Sequence, residues 1–106
     1  MKLNVYVNET MKQVDVPNDM LQDAEAIYAK IDKDLDQGWQ LSREWVDKLD
    51  TLQRCKVVAD RLLTAIENNN GPSTMLMAGY IMTRMPHIKT IHIASDGDMN
   101  QTQLID

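Results

Sequence analysis

"KLNVYVN" (2–8) and "KQVDVP" (12–17) open the chain with two runs of strict alternation. Leu3, Val5 and Val7 fall on one side of the first run, and Lys2, Asn4, Tyr6 and Asn8 fall on the other. Val14 and Val16 repeat the pattern. An apolar residue at every second position marks a strand with one face in a core and one in water. The polar link "NET" (8–10) joins the two strands as a hairpin, with Asn in place of the more usual Gly.

Working outward, the other end of the chain supplies matching strand material. "HIKTIHIA" (87–94) is short and β-branched, which predicts a strand that joins the hairpin and covers its edge. "SDGD" (95–98) holds an Asp-Gly turn signal. Residues 96–106 then either return as a last strand or trail away as a flexible polar tail.

The middle of the chain changes period. Met20, Leu21, Ala24, Ile27, Tyr28, Ile31 and Leu35 form one helical stripe. Asp19 is its predicted N-cap, with Gln22 completing a capping box and Gly38 as the stop. Gln22, Glu25, Asp32 and Asp36 lie opposite the stripe and read as a solvated face. A second helix is expected from Ser42, with Trp45, Leu49, Leu52, Ala59, Leu63 and Ile66 inward, and Arg54 and Arg61 toward water. Asp50 or Thr51 is placed to cap a fresh start within it. "NNNG" (68–71) ends it.

The third helix, "PSTMLMAGYIMTRMP" (72–86), carries four of the eight methionines. Met75, Met82 and Met85 share a broad face with Ala78 and Gly79. Met77, Leu76, Tyr80 and Arg84 lie nearly opposite. A helix apolar on both faces must be covered on both, which predicts a homodimer through Met75, Ala78, Gly79, Met82 and Met85.

These pieces predict a single α+β domain over residues 1–106. A small, mainly antiparallel sheet, made of the N-terminal hairpin plus a C-terminal strand or hairpin, carries about three helices on one face. Length and composition agree: 106 residues, 43% hydrophobic and 25% charged, fit one ordinary globule.

Several functions are disfavoured. The net charge of −5 comes from the first half, where residues 1–50 hold eleven acidic and six basic side chains. Such a surface repels nucleic-acid phosphates and anionic membranes. No apolar run reaches the ~18 residues that span a bilayer. Cys55 is the only cysteine, so no intramolecular disulfide and no cysteine-based zinc site can form. With no early apolar leader, this predicts a cytoplasmic protein. His87 and His92, five residues apart on a strand, point to opposite faces and are not a chelating pair. Asp96, Asp98 and Asn100 have the first spacings of a calcium loop but lack its glycine and its terminal glutamate, so a turn is the better reading. Cys55 sits beside an apolar stripe, where burial silences a thiol. No metal, cofactor or catalytic residue is therefore assigned.

What remains is binding. "GWQLSREW" (38–45) places both tryptophans between the first two helices. Trp39 and Trp45 with Tyr28 form the candidate pocket for a partner or ligand. The leading expectation is a small non-enzymatic binding or regulatory module, homodimeric through the helix 72–86. The alternative is a small enzyme or ligand-binding protein whose site at the dimer interface uses His87 or His92.

Overall fold

In the computed structural model, which describes residues 1–41, 43–96 and 98–106, the alternating N-terminus forms strands β1 (Lys2–Val7) and β2 (Thr10–Asp15). They pair antiparallel, with Leu3 opposite Val14 and Val5 opposite Lys12. Asn8 takes φ +58°, the left-handed conformation that Asn tolerates better than most residues, and so closes the turn without glycine. The terminal amine donates to the carbonyl of Val16, extending the ladder to Met1.

β5 (Thr90–Ile93) lies beside β1 and runs parallel to it, and β6 (Gln103–Ile105) pairs antiparallel with β5. The sheet order is therefore β2-β1-β5-β6, mixed at the single parallel pairing. Residues 99–106 resolve as structure: a 3-10 turn (Met99–Gln101) leads into β6, and the buried Thr102 hydroxyl accepts the Ala94 N–H. Gly97, in the expected Asp-Gly turn, lies outside the described residues.

The helices pack on the inner face of this sheet, against Leu3, Val5, Ile91 and Ile93. α1 (Asn18–Asp23) and α2 (Glu25–Leu35) replace the single first helix. The break at Ala24 is a bend, since Ala24 donates to Met20 and accepts from Tyr28 across it. The Asp19–Gln22 capping box does not form; α1 starts after Pro17 with no side-chain cap.

The largest departure follows Gly38. At φ +92° this residue reverses the chain, and a two-stranded ribbon of β3 (Trp39–Leu41) and β4 (Glu44–Val46) stands where the second helix was expected to begin. Trp, Leu and Val at strand spacing favour the pleated form, and Trp45 does not head the helical stripe. Ser42, the expected helix start, lies outside the described residues. The helix α3 (Thr51–Glu67) begins later. Asp50 caps it and Gln53 completes a reciprocal capping box at 2.7 and 2.9 Å.

α4 (Gly71–Arg84) is capped by Asn70 and packs along α3. Both of its faces pack against the chain itself. Ala78, Gly79, Tyr80, Ile81 and Met82 are buried, with Met82 only 3% exposed, while Met75, Leu76, Met77 and Met85 are half-buried against the core. That cover comes from α3, α1 and β2, which pack against α4. The chain itself thus covers part of the apolar surface that called for a partner on this helix.

Gly79 of α4 faces Tyr28 of α2. A methyl added there would collide with the hydroxyl of Tyr28. Gly79→Ala is expected to destabilise the fold by about 1–3 kcal/mol, despite the better helix propensity of alanine. Adding Tyr28→Phe to that variant should recover most of the loss in a urea melt. Recovery absent in the double variant would show that the contact is not the cause.

Candidate functional site

The chemistry-bearing groups of the described residues converge between α2, α3 and α4, on Asp32. Tyr80 donates its hydroxyl to Asp32 Oδ1. Arg84, one turn further along α4, reaches Oδ2 from Nε at 3.0 Å and from Nη2 at 2.8 Å. Arg54 of α3 approaches Oδ1 at 3.4 Å and the Asp32 carbonyl at 3.1 Å. The outer edges of both guanidiniums meet exposed acids: Arg54 pairs with Asp36, and Arg84 pairs with Glu25 at 3.2 and 3.4 Å. Arg54 also donates to the carbonyl of Leu49. A hollow of about 450 Å³, lined by Leu49, Asp50, Thr51 and the cluster, opens beside it.

The sequence placed Asp32 on a solvated face and Arg54 toward water; the structure corrects both. Gln22, Glu25 and Asp36 stay exposed as expected, but α3 and α4 close over Asp32, which keeps only 28% of its side chain exposed. Burial pushes the Asp32 carboxyl up, but the Tyr80 and Arg84 hydrogen bonds, the Arg84 charge and Arg54 outweigh it and hold the pKa below the ordinary carboxylate value. Burial and the Asp32 carboxylate together push the Tyr80 hydroxyl well up. Cys55, fully buried nearby, is pushed up to about 12 by desolvation and by Asp32. Every one of these shifts moves a group away from neutrality. The cluster therefore holds fixed charges and does not relay protons at neutral pH.

Tyr28 is not part of a tryptophan pocket. It is fully buried, edge-on to Tyr80 at 5.8 Å, and its hydroxyl has no hydrogen-bond partner among the described residues. Trp39 and Trp45 sit on opposite sides of the β3–β4 ribbon, because Trp39 registers with Val46 and Gln40 with Trp45. Trp39 is half-buried, with the Arg61 guanidinium 5.1 Å from its ring. Trp45 is 57% exposed; its ring lies over Gly38, and its indole N–H donates to Asp47 at 2.7 Å. A hollow of about 590 Å³ at the ribbon nevertheless touches both tryptophans, with Asp34, Gln37, Gly38 and Gln40 as its other walls.

His87 and His92 are far apart in role. Exposed His87 lies 3.5 Å from Asp106, while His92 stacks on Tyr6 across β1 and β5 at 4.7 Å and 6°. Asp96 and Asp98 turn their carboxylates onto local backbone N–H groups, as a turn requires. Among the described residues, no group of three or more His, Cys, Asp or Glu is arranged to hold a metal ion. Nor is any helix long and apolar enough to cross a membrane.

The Asp32 cluster joins residues up to 52 positions apart and has no local motif. Its one sequence signal is Tyr80 and Arg84, four residues apart on a mainly apolar helix. No protein-family model, curated protein or solved structure matches the chain.

The two neighbouring tyrosines give opposite expectations. Tyr80→Phe removes a hydrogen bond to a charge and should cost about 1.5–3 kcal/mol, whereas Tyr28→Phe removes an unpaired buried hydroxyl and should cost nothing or stabilise. Equal losses in a urea melt would contradict the assignment. The lowered pKa of Asp32 also fixes the pH dependence. A carboxyl below its unfolded value contributes stability at pH above that unfolded value, and the contribution is lost as pH falls through the folded one. Asp32→Asn should cost about 2–3 kcal/mol at pH 7, less than a fully buried pair, and should lose less stability than the parent between pH 5 and about 2.5. Parallel acid-stability curves for the two proteins would argue against it.

Proposed function

We propose that this chain is a small, non-enzymatic binding module that meets a partner protein through the outer side of the β3–β4 ribbon. The observation that carries the reading is Trp45. Its ring is held in place by Gly38 beneath it and by Asp47 at the indole N–H, yet more than half of it faces water. A large ring already fixed in one rotamer loses little entropy on binding and offers a broad apolar surface, which is what dominant interface residues share. The long hollow beside it has space for a partner side chain.

Two further observations support a module without chemistry of its own. The Asp32 cluster spends its charges on itself, and Cys55 is buried with its thiol protonated. A lone, deeply buried cysteine also fits a reducing cytoplasm, where disulfides are not used. Self-association through Met75, Ala78, Gly79, Met82 and Met85 draws less support, because Ala78, Gly79 and Met82 are buried within the chain and only Met75 and Met85 are half-buried.

A photo-crosslinking side chain at Glu44, next to Trp45, tests the proposal in the native cell. A discrete adduct is expected, and Trp45→Ala should weaken it by about tenfold or more, the effect of losing a dominant contact. The same variant should melt within about 1 kcal/mol of the parent, as exposed substitutions do. An adduct indifferent to Trp45→Ala, or none at all, would sink the reading.

A further inference from the structure

Residues 34–50, from the last turn of α2 through the ribbon to the start of α3, carry five acidic and two basic side chains. Three of those acids are committed within the chain. Asp36 pairs with Arg54, Asp47 accepts the Trp45 indole N–H, and Asp50 caps α3. Asp34 is different. It is exposed, and among the described residues its carboxylate has neither a hydrogen bond nor an ion pair. It is also a wall of the hollow beside the ribbon, where the other described walls are two tryptophans, two glutamines and Gly38. Among them Asp34 carries the one formal charge.

We propose that this hollow takes an arginine side chain from a basic segment of the partner protein, its guanidinium set between the Trp45 ring and the Asp34 carboxylate. The proposal rests on the ribbon being the binding face. Any partner that covers the hollow also covers Asp34. A neutral or acidic partner would leave that carboxylate without water and without a donor, whereas a guanidinium compensates it. The indole face attracts a cation, and a flat guanidinium stacks on it while donating from its edge. Asp47 strengthens the attraction, because accepting the indole N–H at 2.7 Å pushes electron density into the Trp45 ring. The chain already pairs its other tryptophan in this way: the Arg61 guanidinium lies 5.1 Å from the Trp39 ring. Arg61 is not a wall of the hollow, so the place beside Asp34 is not filled by it. The net charge of −5 steers a basic segment toward this surface and repels an acidic one.

The probe is the peptide acetyl-Gly-Arg-Gly-amide, set against its citrulline counterpart, which has the same shape and no charge. Each is titrated to about 50 mM, the range of a single side-chain contact, while NMR follows the Trp45 indole N–H. The arginine peptide should give a saturable shift, and the citrulline peptide should bind at least about threefold more weakly. Asp34→Lys, a change that the helix dipole favours at the end of α2, should weaken the arginine peptide about fivefold or more. If that variant impairs folding, Asp34→Asn is read in the same way. No shift with the arginine peptide, equal binding of the two peptides, or indifference to the Asp34 variants overturns the proposal. The photo-crosslinked adduct at Glu44 separates it from the ribbon reading. An adduct that Trp45→Ala abolishes and Asp34→Lys leaves intact overturns the arginine and keeps the ribbon. An adduct indifferent to Trp45→Ala overturns both.

Discussion

Asp32 is the point on which the helical layer depends. One carboxylate on α2 receives a hydroxyl and a guanidinium from α4 and a second guanidinium from α3. Backbone hydrogen bonds are local to each helix and cannot fix how helices sit relative to one another. Apolar packing does so only loosely, since Leu, Val and Met tolerate sliding. A directional, half-buried charge cluster sets the register of all three helices at once. Its cost in desolvation is offset only while every member is present, so the cluster specifies the arrangement more than it adds net stability.

The same cluster decides where function can lie. Its hollow has the outward marks of an active site: converging polar groups, shifted pKa values and space for a small ligand. The direction of the shifts argues otherwise. An acid held below its normal range, a tyrosine and a thiol pushed upward, and arginines paired to two carboxylates each are groups frozen in one state. Catalysis needs groups poised to change state. The proposed binding role accordingly rests on the exposed Trp45 ribbon and not on this interior cluster.

The N-terminal hairpin was legible in the sequence because period two survives in any context that buries one side. The strand at Thr90–Ile93 and the α+β class followed from the same rule, and Asp50 stood out as a cap. Three features were hidden. The β3–β4 ribbon spans so few residues that Trp45, Leu49 and Leu52 imitate a helical stripe, and only the backbone of Gly38 reveals the turn. Asp32 is half-buried by side chains from α3 and α4, which leaves the apolar pattern of its own helix unaltered. How much of α4 the chain itself covers was also not legible, because α3, α1 and β2 meet that helix only after folding. Tertiary charge pairing leaves no periodic trace: Asp32, Arg54, Tyr80 and Arg84 are neighbours only after folding.

The most direct measurement is the titration of Asp32 itself, followed through its side-chain carboxyl carbon by NMR between pH 2 and 7. An ion held permanently by Tyr80, Arg84 and Arg54 must titrate below the ordinary carboxylate value, with a midpoint under about 3.8. A midpoint at or above that value would mean that burial outweighs the partners. Asp32 would then be a group able to exchange its proton, and the cluster would have to be read as a working site.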